Sequence, residues 1–242
     1  MNNRISHFSM NAGFTLVEMA VVLMIVALLL GGLFVPISEQ IDQRNRAETE
    51  KRLEEIKESL IGYALAHGYL PCPAKSAVDG MEDRDGASCR DGKRVGHLPW
   101  AELGVTNLDG WDRQFRYSVA LAYADSDTKI SLSPLTGRDI TIKSRDKDGN
   151  IVNLSNLNTI PAVIVSMGSN GFWGYSANAD QLADASATNI DEDVNGNGDG
   201  KVFFSRTTAL NSAATGGEFD DLVVWVSPNV YINKMVSAGQ LP

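Results

Sequence analysis

Residues 14–35, FTLVEMAVVLMIVALLLGGLFV, form an apolar run interrupted by one ionisable side chain, Glu18. As a helix, about 20 such residues cross the roughly 30 Å hydrocarbon core of a bilayer. The segment before the run, MNNRISHFSMNAG, is short and polar, carries Arg4 and His7, and has no acid. That bias keeps the N-terminus cytoplasmic and sends the rest of the chain across the membrane. A secretory signal peptide has a shorter apolar core closed by small residues, and the run fits neither feature. A carboxylate inside a membrane helix costs about 2.5–3.5 kcal/mol on insertion scales and calls for a partner. No basic residue lies within a helical turn of Glu18.

The string Gly13-Phe14-Thr15-Leu16-Val17-Glu18 resembles the processing site of type IV pilins and type II secretion pseudopilins. The resemblance implies that a prepilin peptidase cuts after Gly13 and N-methylates Phe14. Glu18 then becomes the fifth residue of the mature chain, the position this family fills with Glu. The methylated amine of Phe14 stays cationic, so Glu18 of one subunit has a partner in the Phe14 amine of a neighbour, which offsets the buried charge and sets axial register. The same family often carries a helix-kinking proline. Pro36 falls one residue later than the usual spacing, and an interior proline removes a helix hydrogen bond, so a kink or melted turn is expected there.

Beyond Pro36 the chain turns charged. Leu53, Ile56, Leu60, Ile61, Ala64 and Leu65 recur on one helical face, opposite a solvated face around Glu54 and Glu58. Gly68, ahead of Tyr69-Leu70-Pro71, ends the helix. From Phe14 to His67 that helix would measure roughly 80 Å at 1.5 Å per residue. The expected organisation is a leader at 1–13, a transmembrane and assembly helix at 14–36, its amphipathic continuation at 37–68, and a globular head at 69–242.

In the head, residues 69–113 are rich in turn formers and hold both cysteines, Cys72 and Cys89. Two cysteines are too few for an ordinary metal site. Paired, they would contribute about 3 kcal/mol in the chain-entropy picture and require an oxidising compartment; unpaired thiols are the other reading. The stretch DGWDRQFRYSVAL resembles a D-P-W-G-x-x-Y-x-Y segment of pseudopilins, matched in type at Asp109, Trp111, Phe115 and Tyr117, with departures at Gly110 and Asp112. Trp111 and Tyr117 are expected to pack on the long helix. Strand candidates are 115–121, 129–133, 140–143, 162–166, 201–206 and 222–226. Ser227 and Pro228 open a short C-terminal helix with Val230, Ile232, Met235 and Val236 on its apolar face. One long helix followed by consecutive short strands reads as α+β with an antiparallel sheet.

Residues 191–200, DEDVNGNGDG, alternate oxygen-bearing side chains at Asp191, Asp193, Asn195, Asn197 and Asp199. That spacing resembles the opening of a calcium loop, with Asp220 or Asp221 available to stand in for the missing twelfth-position acid. Asp/Asn/Gly clusters are equally the chemistry of plain solvated turns, and both readings stay open. Calcium in the head is also what the pseudopilin resemblance implies.

With 30 Asp and Glu against 21 Lys and Arg, the net charge is −9, which repels phosphate backbones and argues against nucleic acid. His7, His67 and His97 are the only histidines. No nucleophile elbow, phosphate loop or zinc-protease motif is present, and adjacent acids such as Asp220 and Asp221 would point to opposite faces of a strand. The chain is therefore expected to be a structural subunit, not an enzyme: a minor pilin or pseudopilin, single-pass in the inner membrane with its head in the periplasm. Its expected partners are prepilin peptidase, other pilin or pseudopilin subunits, the inner-membrane assembly platform and inner-membrane lipid. The alternatives are a tip adhesin or cargo-binding module, for which Phe172, Trp173 and Tyr175 would supply an exposed patch, and an uncleaved anchored periplasmic enzyme.

Overall fold

The computed structural model describes residues 13–128, 138–156 and 159–241, with the side chains of 30–37 also outside the described set. The leader up to residue 12 and the strand candidate 129–133 therefore lie outside the described residues. Two compact units divide at Gln43/Arg44. The first carries the start of helix α1, Leu16–His67. Thr15 and Glu18 close its N-terminus as a reciprocal capping box. The Thr15 amide donates to Glu18 Oε2 at 2.8 Å, and the Glu18 amide donates to Thr15 Oγ1 at 3.2 Å. Two of the unpaired donors of the first turn are thereby satisfied. The helix has no break at Pro36, so the melted turn expected there does not form.

The second unit is an α+β head built around the last part of α1. Leu53, Ile56, Leu60, Ile61 and Ala64 are buried there, and Leu65 packs on the core at its edge. This is the face read from the spacing. Each such leucine or isoleucine contributes about 1.5–3 kcal/mol by leaving water. Gly68 ends the helix at φ +87°, and its amide donates to the Ala64 carbonyl at 2.7 Å. A side chain would strain that left-handed turn.

A four-stranded antiparallel sheet lies in the same core, formed by β1 (Val95–His97), β2 (Arg116–Val119), β5 (Ala162–Ser166) and β7 (Leu222–Trp225), in the order β7-β5-β2-β1. Every residue of β5 is buried, as expected of a β-branched strand between two neighbours. A second sheet joins β3 (Thr141–Arg145), β4 (Ile151–Asn153) and β6 (Val202–Phe204) in the order β6-β3-β4. Here the expectation of an antiparallel head needs one correction, because β6 runs parallel to β3. A parallel return needs a long crossover, and the chain between them supplies it, carrying β5 and helix α2 (Ile190–Asn197).

The region 69–113 is closed by a Cys72–Cys89 disulfide with Cα atoms 5.4 Å apart. The C-terminal helix α3, Pro228–Ser237, begins at the expected residue, but the Ser227 hydroxyl makes no capping hydrogen bond. Its buried face also differs from the expected one. Tyr231 and Met235 are buried and Ile232 packs beside them, whereas Val230 and Val236 are nearly half exposed. Aromatic volume decides the outcome: the Tyr231 ring meets Tyr123 edge-on at 5.7 Å, which rotates the two valines outward. Lys234 reaches Glu58 of α1 at 2.9 Å.

Candidate functional site

The N-terminal motif stands at the start of α1. Gly13 and Phe14 are exposed, Phe14 by 82%. Both the backbone amide and the hydroxyl of Thr15 donate to Glu18 Oε2, each at 2.8 Å. Thr15 is the partner that reading the chain for basic residues missed; the Thr-x-x-Glu spacing that signals it is visible in the sequence. From Phe14 to Leu29, large apolar side chains on all sides of the helix are exposed, Leu16 by 87% and Leu28 by 66%. Among the described residues no helix is long and apolar enough to cross a membrane; the expected span 14–36 includes positions whose side chains lie outside that set.

The pseudopilin-like segment is tied to α1 by its backbone. Asp109 is buried, and its Oδ1 accepts from the amides of Trp111 and Arg113 at 2.9 and 3.0 Å, while Oδ2 accepts from the Ser166 hydroxyl at 2.6 Å. Burial pushes its carboxyl upward against these bonds. Thr49 of α1 accepts from the Gly110 amide at 2.8 Å. A Cβ at Gly110 would fall 2.2 Å from the Asn45 carbonyl oxygen, so the glycine that departs from the pseudopilin pattern is what lets the segment touch the helix. Tyr117 is fully buried and donates to the Pro71 carbonyl at 3.0 Å, and Trp111 packs against the same core cluster as Leu53 and Ile56.

The alternating residues at 191–199 do not form a cation loop. Residues 190–197 are helix α2, and helical geometry turns alternate side chains to different sides. Asp191 is buried and ion-paired to Arg145 at 2.7 Å and to Arg206 at 2.8 Å. Asp193 accepts from Trp173 Nε1 at 2.8 Å. Asn195 donates to the Phe204 carbonyl and accepts from the Phe204 amide. Asn197 and Asp199 are exposed. The ligand set Asp191, Asp193, Asn195, Asn197 and Asp199 is therefore corrected: the helix turns its members to different sides, and Asp191, Asp193 and Asn195 are held by other partners.

What does converge is Glu192 with Asp220 and Asp221. All three are buried, and one carboxylate oxygen from each lies within 4.8 Å of the others. The expectation that Asp220 and Asp221 point to opposite faces fails because both precede β7 and escape strand alternation. Sequence reading passed over Glu192 because it sits between the residues of the supposed loop pattern. Burial, with the Asp220 charge adding to it, pushes the Glu192 carboxyl up to about 7. Asp221 is held well above the usual carboxylate range, by burial first and then by the Glu192 charge. The donors around the trio are neutral. Asn195 Nδ2 reaches Asp221 at 2.9 Å, Ser169 and the Asn170 amide reach Asp220 at 2.6 and 2.9 Å, and the Asp220 amide reaches Glu192 at 2.6 Å.

Phe172, Trp173 and Tyr175 are each half-buried, so they do not form the open aromatic patch expected of an adhesive tip. Trp173 and Tyr175 instead help line a cavity of about 210 Å³ with His97, Phe115, Arg116 and Met167. His67 Nδ1 lies 2.9 Å from the Tyr63 carbonyl, and the ring stacks on Tyr63 at 4.0 Å.

Compared with known proteins, residues 8–34 match the family model described as the prokaryotic N-terminal methylation motif. Searches of curated proteins and of solved structures found no match.

Proposed function

Starting from a chain that is type IV pilin- or pseudopilin-like, with a methylation motif that implies processing by prepilin peptidase and assembly with other pilin subunits, we propose that it is a minor pilin or pseudopilin, a non-enzymatic fibre subunit held in the inner membrane with its head in the periplasm. Cleavage falls after Gly13, and Phe14 becomes the methylated terminus. Glu18 answers the Phe14 amine of a neighbouring subunit.

The match of residues 8–34 to the methylation motif carries this reading. Two structural features support it. The helix that follows the motif exposes apolar side chains all round its first turns, a surface that needs lipid or other helices to cover it. The capping box also holds the Glu18 carboxylate at the very start of the helix, beside the position of the new terminus. The Cys72–Cys89 bond supports an oxidising location for the head.

The test is the mass of the intact N-terminus in membranes with active or inactive prepilin peptidase. The expected product begins at N-methylated Phe14 and appears only with active enzyme. A chain that still begins at Met1, or is cut elsewhere, would overturn the fibre-subunit reading.

A further inference from the structure

We propose that the cavity beside strands β1 and β2 is a binding site for a small monocarboxylate with a flat apolar body, its carboxylate on Arg116 and its body against Trp173 and Tyr175. The cavity holds about 210 Å³. An apolar cavity of about 150 Å³ already takes a benzene ring, and drug-sized ligands need about 300–1,000 Å³. The space therefore suits one ring carrying one small group. Its walls come from elements that meet only in the folded head. Strands β1 and β2 place His97 opposite Arg116 in register, and the turn through Trp173, Gly174 and Tyr175 contributes the aromatic wall. His97, Arg116, Trp173 and Tyr175 are each half-buried, so a ligand can reach them from solvent.

The charge at this cavity has one sign. Among the described residues no Asp or Glu lines it, and Arg116 is its only Lys or Arg. Burial, with Lys93 and Arg116 acting beside it, keeps the His97 imidazole neutral, so Arg116 supplies the positive charge. Its Nη2 donates to the Gly198 carbonyl at 3.0 Å, whereas its Nε is buried with no hydrogen-bond partner. A buried donor left unpaired costs about 1–3 kcal/mol. Asp221 acts on Arg116 from beyond ion-pair distance, and burial holds the Asp221 carboxyl well above the usual range, so little negative charge answers the guanidinium. A charged acceptor bonds it about twice as strongly as a neutral one, and a carboxylate matches its planar fork. Phosphate or sulfate would call for further cations on the wall.

A second, independent observation points to the aromatic wall. Trp173 stands at φ +61°, a left-handed conformation that costs a bulky residue about 1–3 kcal/mol. Its indole Nε1 donates to Asp193 at 2.8 Å, and a Cβ at Gly196 would fall 2.4 Å from the Trp173 Cβ. Helix α2 thus does without a side chain where this tryptophan lies against it. The His97 ring meets Tyr175 edge-on at 4.4 Å, and Met167 adds a soft apolar surface. The fold accepts backbone strain and a helix glycine to hold aromatic surface beside an unpartnered guanidinium N–H. A carboxylate with an apolar body satisfies both ends of that arrangement.

The experiment uses the full chain in detergent, isotope-labelled in the methionine methyl groups, and follows their NMR signals as sodium benzoate is added. The Met167 signal is assigned by its loss in Met167→Leu. A saturable shift of that signal is expected, with a Kd of about 1 mM or tighter. Benzamide, the neutral isostere, should bind at least about tenfold more weakly. Arg116→Gln should weaken benzoate binding about tenfold or more, while Lys147→Gln, which removes the same charge from an exposed site, leaves it unchanged. No saturable shift up to about 20 mM benzoate would overturn the proposal, and so would benzamide binding as tightly as benzoate. Wild-type benzoate affinity in a folded Arg116→Gln chain would overturn it as well. If Arg116→Gln does not fold, the ratio of benzoate to benzamide affinity in the wild-type chain decides alone. None of these readouts depends on cleavage after Gly13, so the fibre-subunit reading is tested separately.

Discussion

His97 illustrates how one buried residue adds to the pH response of a fold. Its imidazole is pushed down to about 4 from the usual 6.5, by burial first and then by the charges of Lys93 and Arg116, with a side-chain hydrogen bond to Gln114 opposing. The edge of the Tyr175 ring packs against it at 4.4 Å. The folded state therefore keeps His97 neutral where the unfolded chain takes up a proton, so unfolding binds more protons between these two values. The stability His97 contributes is fully present above pH 6.5 and is lost as pH falls toward about 4. Replacing His97 by Gln should flatten the wild-type decline across that window, read as urea midpoints at several pH values. Parallel profiles for the two proteins would show that other groups set the acid response. Gly110 makes a different point at the same scale. Its departure from the pseudopilin pattern was legible in the sequence, but its reason was not, because the Asn45 carbonyl it must approach lies far away along the chain.

At the scale of elements, the disulfide-closed segment shows how a stretch with little regular structure becomes fixed. Cys72 and Cys89 stand 17 residues apart. The Cys72 amide donates to Glu82 at 2.9 Å, and Arg84 donates to the carbonyls of Ala87 and Ala124, each at 2.7 Å. Replacing both cysteines by serine should cost about 3 kcal/mol and lower the unfolding temperature by roughly 6–12 °C for a head of this size, measured in thermal melts against the oxidised wild type. A drop of less than a degree would mean that the Arg84 and Glu82 contacts alone hold the segment. Elements with strong local signals were legible in advance: the end of α1 at Gly68, and β5 as a β-branched run. Helix α2 was not, since Asp, Asn and Gly favour turns. It forms because Asp191 is held by two arginines and Asn195 by the Phe204 backbone, contacts made across the fold. Strand β4 was missed although Asp148-Gly149, with Gly149 at φ +84°, is a hairpin signal ahead of it. The strand itself is short and exposed, so no apolar alternation marks it.

For the molecule as a whole, the sequence divides into a start that speaks for its class and a head that does not. The methylation motif was readable from six residues, Gly13 to Glu18, because its signal lies in local spacing and needs no tertiary contact. The acidic trio was only partly readable, since Asp220 and Asp221 meet Glu192 through tertiary structure alone. If the chain is a fibre subunit, Glu18→Ala should be cleaved normally and keep a folded head, yet enter fibres at least about tenfold less often, as buried charge pairs lose several kcal/mol when one partner is removed. Quantifying the variant in sheared fibres against wild type tests this, and equal incorporation would remove Glu18 from the assembly contact.

The Cys72–Cys89 bond has one more consequence. Thiols stay reduced in the cytoplasm and join only in an oxidising space, and both sulfur-bearing residues are buried once the head has closed. If the head is carried across the membrane as proposed, the pair works as a memory of transit: a head still in the cytoplasm would keep two thiols, and one that had crossed would retain the bond.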